Sequence, residues 1–205
     1  MRTLAIETAT EACSVALFGG TEVIAARHEV LGRGHAERLV PLISELPGKG
    51  QADRILASLG PGSFTGTRIG IAAARALGLA WGAEVLGHPT LALAALCAQE
   101  QLGAMPVLVA MNGGHGEWLV QPFDAAGRPL EEHRSLPPAE AAALSSIEHV
   151  AGSRAQELVA LRRFGTGLPL LPDASGAIAL AADRLSNHLA PVYARAPDAK
   201  PAARG

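Results

Sequence analysis

The chain has 205 residues, 49% of them apolar, and a formal charge of −2 at neutral pH. That length suits one large domain or two small ones with a buried core, and the composition excludes a disordered chain. Lys49 and Lys200 are the only lysines among 17 basic residues, and no basic block stands out, so this chain alone makes a poor nucleic-acid grip.

No apolar run approaches the roughly 20 residues that span a bilayer. MRTLAIETAT carries no charged-then-apolar leader pattern. Cys13 and Cys97 form no CxxC pair. A cytoplasmic protein with reduced thiols and no membrane contact is therefore expected.

In chain order, residues 4–8, 13–18 and 23–28 read as short strands, with Gly19-Gly20 between the last two as a hairpin signal. A helix pattern follows over 35–46, with Leu39, Leu42, Ile43 and Leu46 on one side, and Pro47-Gly48 ends it. Residues 54–59 read as a buried strand, 65–81 as a helix, 85–87 as a strand and 91–101 as a helix. The order then restarts, with strands over 107–111, 117–123 and 130–134 and a helix after Pro137-Pro138. A strand over 149–151 and helices over 154–163 and 175–189 complete it. A βββαβα order twice over predicts mixed sheets flanked by helices. The lobes are expected at 1–103 and 104–196, with a frayed tail over 197–205.

The Gly-rich stretch SLGPGSFTGTRIGIAAARALGLA, residues 58–80, fails each familiar enzyme template. A P-loop needs a lysine that is missing here. A dinucleotide fingerprint needs a third glycine where Thr65 stands. A nucleophile elbow needs glycines where Pro61 and Thr65 stand. Two readings stay open. Ser63 or Thr65 caps the helix that starts there, or the helix N-terminus makes a weak nucleotide contact together with Glu7 and Thr8.

The helix itself carries Gly66, Gly70, Ala74 and Gly78 at intervals of four, an edge of very small side chains. Interior glycines cost about 1 kcal/mol each relative to alanine, so another backbone is expected to approach closely. Either the chain's own sheet or a helix from a partner or a second copy of this chain makes that approach, with Ile69, Ile71 and Leu77 as apolar flanks.

Three segments carry a family resemblance: MRTLAIETATEACSVALF, SLGPGSFTGTRIGIA and APVYAR at 190–195. They resemble the TsaB (YeaZ) family, strongly over the first 100 residues or so. The resemblance implies a two-lobed α/β fold of the actin-like, sugar-kinase and Hsp70 ATPase superfamily (ribonuclease H-like). It implies a non-catalytic paralogue of TsaD, which binds TsaD and TsaE. That assembly transfers a threonylcarbamoyl group, supplied as an adenylate by TsaC, to an adenosine next to the tRNA anticodon. It implies a homodimer when the chain is alone, tRNA contact only through the complex, and no cofactor of its own, with ATP or ADP at the complex interface.

The family's partner surface lies on the first two helices of the first lobe. This places the expected interface at Leu39, Leu42, Ile43, Gly66, Ile69, Gly70, Ala73, Ala74, Leu77 and Gly78. The resemblance implies no catalytic residue and no metal ligand: TsaD-like subunits hold a metal partly through two histidines four residues apart, and no two of the seven histidines here have that spacing. Glu7 replaces the superfamily's first-strand Asp. Asn112-Gly113-Gly114-His115-Gly116-Glu117 replaces an Asp-Ala-Arg-x-Gly-Glu pattern. His115 is expected in a solvated turn, and Cys13 buried in a strand. The runner-up function is an ATP-dependent sugar-kinase-like enzyme or ATPase of the same fold; a homodimeric scaffold is the third reading.

Overall fold

The computed structural model describes residues 1–194. Two sheets of five strands form its frame, and the second repeats the strand order of the first. In the first lobe, β1 (Arg2–Glu7), β2 (Ala12–Gly19) and β3 (Glu22–Val30) form an antiparallel meander. After α1 (His35–Ser44), β4 (Arg54–Ser58) joins β1 in parallel; after α2 (Phe64–Trp81), β5 (Glu84–His88) joins β4. The hairpin expected at Gly19-Gly20 is present: Gly19 pairs with Glu22, and Gly20 takes φ 64° in the turn.

α3 (Thr90–Leu102) leads to the second lobe, built from β6 (Val107–Gly114), β7 (Glu117–Phe123), β8 (Arg134–Leu136), α4 (Pro138–Ala143), β9 (His149–Ala151), α5 (Ala155–Arg162) and β10 (Thr166–Leu168). β9 and β10 lie parallel to β6 as β4 and β5 do to β1. The doubled βββαβα pattern therefore holds, with a further strand closing each sheet.

Two expectations are corrected, and one strand, β10, was not foreseen. Residues 175–189 do not form an α-helix but two 3₁₀ turns, Ala174–Ala179 and Ala182–Arg184. This segment threads a narrow seam, where Gly176 lies so close to Cys97 and Leu93 that even a methyl group would be tight. The third strand of the second lobe runs over Arg134–Leu136, not 130–134, because it takes its register from β7. β10 is three residues long and carries no periodic signal. The expected tail over 197–205 lies outside the described residues.

Burial explains the layering. α1 and α2 cover one face of the first sheet, where Leu39, Leu42 and Ile43 meet Leu4, Ile6 and Val15. α4 and α5 cover the far face of the second sheet through Ala141, Ala155 and Leu158. α3 lies between the sheets. Its buried residues run round the whole helix, from Leu91 through Ala92, Leu93, Ala94 and Ala95 to Ala98. They share one apolar cluster with Ala5, Phe18 and Leu56 of the first sheet and Val107, Val109 and Phe123 of the second. A helix apolar on every side belongs in an interior. Among the described residues, no helix is long and apolar enough to cross a membrane.

Candidate functional site: the α2 entry loop and the buried Glu7 row

The loop after β4 has to reverse the chain against the β1–β2 turn, and glycine is what permits it. A Cβ on Gly62 would collide with the carbonyl of Ala9, and one on Gly66 with the carbonyl of Thr8. Gly60 has φ 88°, a region that favours glycine. Ser63 N donates to Ala9 O at 2.6 Å, and Thr8 Oγ1 donates to Gly66 O at 2.9 Å. Ser63 Oγ accepts from Gly66 N at 3.1 Å, so of the two residues proposed to cap α2, Ser63 is the one that does. Glu7, Thr8, Ser63 and Thr65 are thus gathered around one turn. The first two are buried and the last two exposed.

The small-residue edge of α2 faces the chain's own sheet. A Cβ on Gly70 would strike Thr8 Oγ1, one on Gly78 would strike Val85, and Ala74 has no exposed surface. This removes Gly66, Gly70, Ala74 and Gly78 from the expected partner surface. Leu39, Leu42 and Ile43 leave it too, since each is at most 3% exposed. The reason is general: apolar periodicity finds the side of a helix that packs, and a helix laid on a sheet uses that side for the sheet. Ile69, Ala73 and Leu77 keep partial surface. Beyond them the outward side carries Val40 on α1 at 60% exposure and Ala72, Ala76 and Leu79 on α2, with Leu79 at 90%. Sequence reasoning missed this outward stripe; the signal was the apolar residues left over once one face of each helix was assigned inward.

A second feature lies at the ends of the strands. Glu7, Ser58 and His88 terminate β1, β4 and β5, and Thr90 opens α3 beside them; all four are fully buried. Ser58 and His88 are register partners, and Thr8 N donates to Ser58 Oγ at 3.2 Å. Glu7 Oε1 accepts from Ala9 N at 2.7 Å, while Glu7 Oε2, Thr90 Oγ1 and His88 Nδ1 have no partner at bonding geometry. Burial raises the Glu7 carboxyl to about 7, against the pull of the Ala9 amide and the neighbouring hydroxyls. Burial lowers the His88 imidazole to about 4. Of this row, only Glu7 stands out in the sequence; Ser58, His88 and Thr90 are brought to it by strand register.

The remaining expectations fall as follows. His115 occupies a left-handed turn position at φ 51°. Cys13 is buried in β2, and burial raises its thiol to about 11. Asn112, in the hairpin that departs from the family pattern, donates through Nδ2 to Glu11 Oε1 at 3.1 Å, joining the tips of the two lobes' first hairpins. No cluster of three metal-ligating side chains occurs among the described residues.

Two matched five-stranded lobes around a shared helix, with a buried polar row at the carboxyl ends of the first lobe's strands, define a two-lobed α/β protein. The ethanolamine utilization protein EutJ of Carboxydothermus hydrogenoformans shares this fold at TM-score 0.53, with 11% identity over 88% of this chain and 90% of its own. YeaZ from Pseudomonas aeruginosa superposes with TM-score 0.77 and 28% identity, over 94% of this chain and 99% of its own.

Residues 19–163 match the family model described as TsaD, tRNA N6-adenosine threonylcarbamoyltransferase. The Escherichia coli (strain K12) tRNA threonylcarbamoyladenosine biosynthesis protein TsaB is 44% identical over 125 residues. That match covers 57% of this chain and 52% of the relative, so the chain spans about half the length of the curated TsaB relative. A Mycobacterium tuberculosis (strain ATCC 25618 / H37Rv) protein without an assigned role is 32% identical over 98% of this chain and 94% of its own length. The chain belongs to the TsaD-type threonylcarbamoyltransferase family, and within it to the TsaB (YeaZ) group.

Proposed function

We propose that this chain is a non-catalytic, partner-binding subunit of the assembly that makes N6-threonylcarbamoyladenosine on tRNA. It binds and activates TsaD through the outward side of α1 and α2, TsaE joins the pair, and tRNA is reached only through the complex. Alone, the chain pairs with a second copy through the same surface. It holds no cofactor of its own, and ATP or ADP sits where the subunits meet. The chain works in the cytoplasm.

One observation carries this reading: the apolar stripe of Val40, Ala72, Ala76 and Leu79 lies on the solvent side of two helices whose other side is already packed. Leu79 at 90% exposure is a site where burial by a partner would return apolar surface from water. The relatives' names supply the chemistry of the partner.

Reconstitution with TsaC, TsaD and TsaE tests it. Omitting the chain is expected to abolish product, and Leu79→Asp is expected to weaken TsaD capture by roughly tenfold or more without lowering the melting temperature. Unchanged product formation without the chain overturns the proposal.

The competing reading is an ATP-dependent sugar-kinase-like enzyme or ATPase, and it rests on Glu7 at the end of β1. The full burial of Glu7 weighs against it. Tight ATP–Mg²⁺ binding by the isolated chain in a calorimetric titration would favour the enzyme.

A further inference from the structure

A cavity of about 380 Å³ opens at the seam between the lobes, walled by three stretches of chain far apart in sequence. Its volume lies near the lower end of the range for small-molecule sites, about 300–1,000 Å³. The floor is apolar: Pro89 and Ala92 come from the start of α3, Phe123 from β7, and Pro129 from the turn that bridges back to Phe123.

The polar groups at the rim are unequal. Arg128 is engaged, with Nε bound to Asp124 Oδ2 at 2.9 Å. Gln121 donates through Nε2 to the carbonyl of Glu131 at 3.0 Å, which leaves its own amide oxygen uncommitted. Arg184 and its neighbour Asp183 sit on the second 3₁₀ turn, and neither side chain is in an ion pair or side-chain hydrogen bond among the described residues. Arg184 is half-buried at the cavity, while Asp183 is exposed.

We propose that this seam cavity binds a small organic monoanion: a carboxylate on Arg184, carrying an apolar body that lies on Pro89, Ala92, Phe123 and Pro129. A guanidinium fork matches a carboxylate through two parallel N–H···O bonds. Apolar walls favour a hydrocarbon body over a hydrated ion. Asp183 beside Arg184 sets the charge limit, because a second negative charge on the ligand would face a carboxylate. The site is separate from the outward side of α1 and α2, so it stands or falls independently of partner binding. A ligand here touches α3, β7 and the second 3₁₀ turn at once, and its binding stabilises the seam.

Phenylacetate is the probe, followed by thermal melting and by shifts of the Ala92 methyl resonance. Saturable binding is expected below about 10 mM, with Arg184→Gln weakening it by roughly tenfold. Neutral phenylacetamide is expected to bind at least as much more weakly. Phenyl phosphate, a dianion, is expected to bind more weakly than phenylacetate to the native chain and to gain affinity in Asp183→Asn. Asp183 is exposed, and the half-buried Arg184 makes no ion pair among the described residues, so both substitutions are expected to leave the melting temperature of the free chain within a few degrees. Absence of saturable binding, equal affinity for phenylacetamide, or equal affinity in Arg184→Gln would each overturn the proposal.

Discussion

His28 Nδ1 lies 3.2 Å from Asp173 Oδ2, joining the edge strand of the first lobe to the chain that leaves the second. The other carboxylate oxygen, Oδ1, meets Ser14 Oγ at 3.2 Å and Ser175 N at 2.8 Å, and Ser14 Oγ accepts from Ala174 N at 3.0 Å. One aspartate therefore clips β2, β3 and the first 3₁₀ turn together. Burial would raise the Asp173 carboxyl, but the hydrogen bonds from His28 and Ser175 outweigh it and hold the group near 2. Its bond to Asp173 raises His28 against partial burial.

Asp173→Ala is expected to cost about 1–3 kcal/mol, because it leaves Ser14, His28 and an amide short of a partner. The pH dependence has a definite sign. The aspartate's share is present above its ordinary 3.8 and lost as pH falls toward 2. The histidine's share is present below its ordinary 6.5 and lost as pH rises through its raised value. Denaturant unfolding should show a larger penalty for the variant at about pH 5 than at about pH 9. Equal penalties would mean that the pair does not form in solution.

Glu7 and His88 give opposite pH slopes. Glu7 stays protonated in the folded chain up to about 7 but ionises at 4.5 when exposed, so it removes stability as pH rises between those values. His88 stays neutral in the folded chain down to about 4 but takes a proton below 6.5 when unfolded, so it adds stability as pH rises over that interval. From 4.5 to 6.5 the two slopes cancel. Glu7→Gln is expected to unmask a stability that climbs with pH, and to gain on the order of 3 kcal/mol above neutrality. A flat profile in that variant would contradict the lowered His88, and a native profile that already climbs over this interval would contradict the raised Glu7.

Gly70→Ala separates helix propensity from packing. In an exposed helix the change would stabilise by about 1 kcal/mol. Here the new methyl strikes the Thr8 hydroxyl, which is held by its bond to Gly66 O, so a loss of about 1–3 kcal/mol is expected. A higher melting temperature would show that α2 does not lie on β1 as described.

A charge at Ala74 is expected to unfold the first lobe, because this residue has no exposed surface and sits among Leu42, Ile55 and Ala57. The same charge at Ala76, two positions along on the exposed side, is expected to leave the melt within about 0.5 kcal/mol. Comparing the two by circular dichroism shows which side of α2 is interior.

Much of the frame was legible because it rests on local pattern. Short β-prone runs marked β1, β2 and β7, and the leucine spacing marked α1. Ser63 and Thr65 both marked the start of α2, and only the structure chooses Ser63 as its cap. What stayed hidden depends on distant contacts. The 3₁₀ turns after Asp173 look helical in composition, and their close approach to Cys97 and Leu93 at Gly176 is a distant contact that composition does not reveal. The orientation of α2 was ambiguous because small residues serve a close approach of any backbone, and the sequence does not say whose. Ser58 and His88 come together by the β4–β5 register, which no spacing within either strand reveals.

The helix α3 has a consequence for how the molecule gains and loses its structure. Its residues belong to one apolar cluster that the two lobes share: they pack on β6, β7 and β9 directly, and reach Ala5, Phe18 and Leu56 of the first sheet within the same cluster, beside the first 3₁₀ turn. Neither lobe has a finished interior without it, so the chain is expected to melt as one cooperative unit, with a calorimetric enthalpy equal to the van't Hoff value. A fragment ending near residue 103 would carry this helix with one side bare. The pseudo-symmetry of the lobes is therefore a matter of architecture, while their folding is joint.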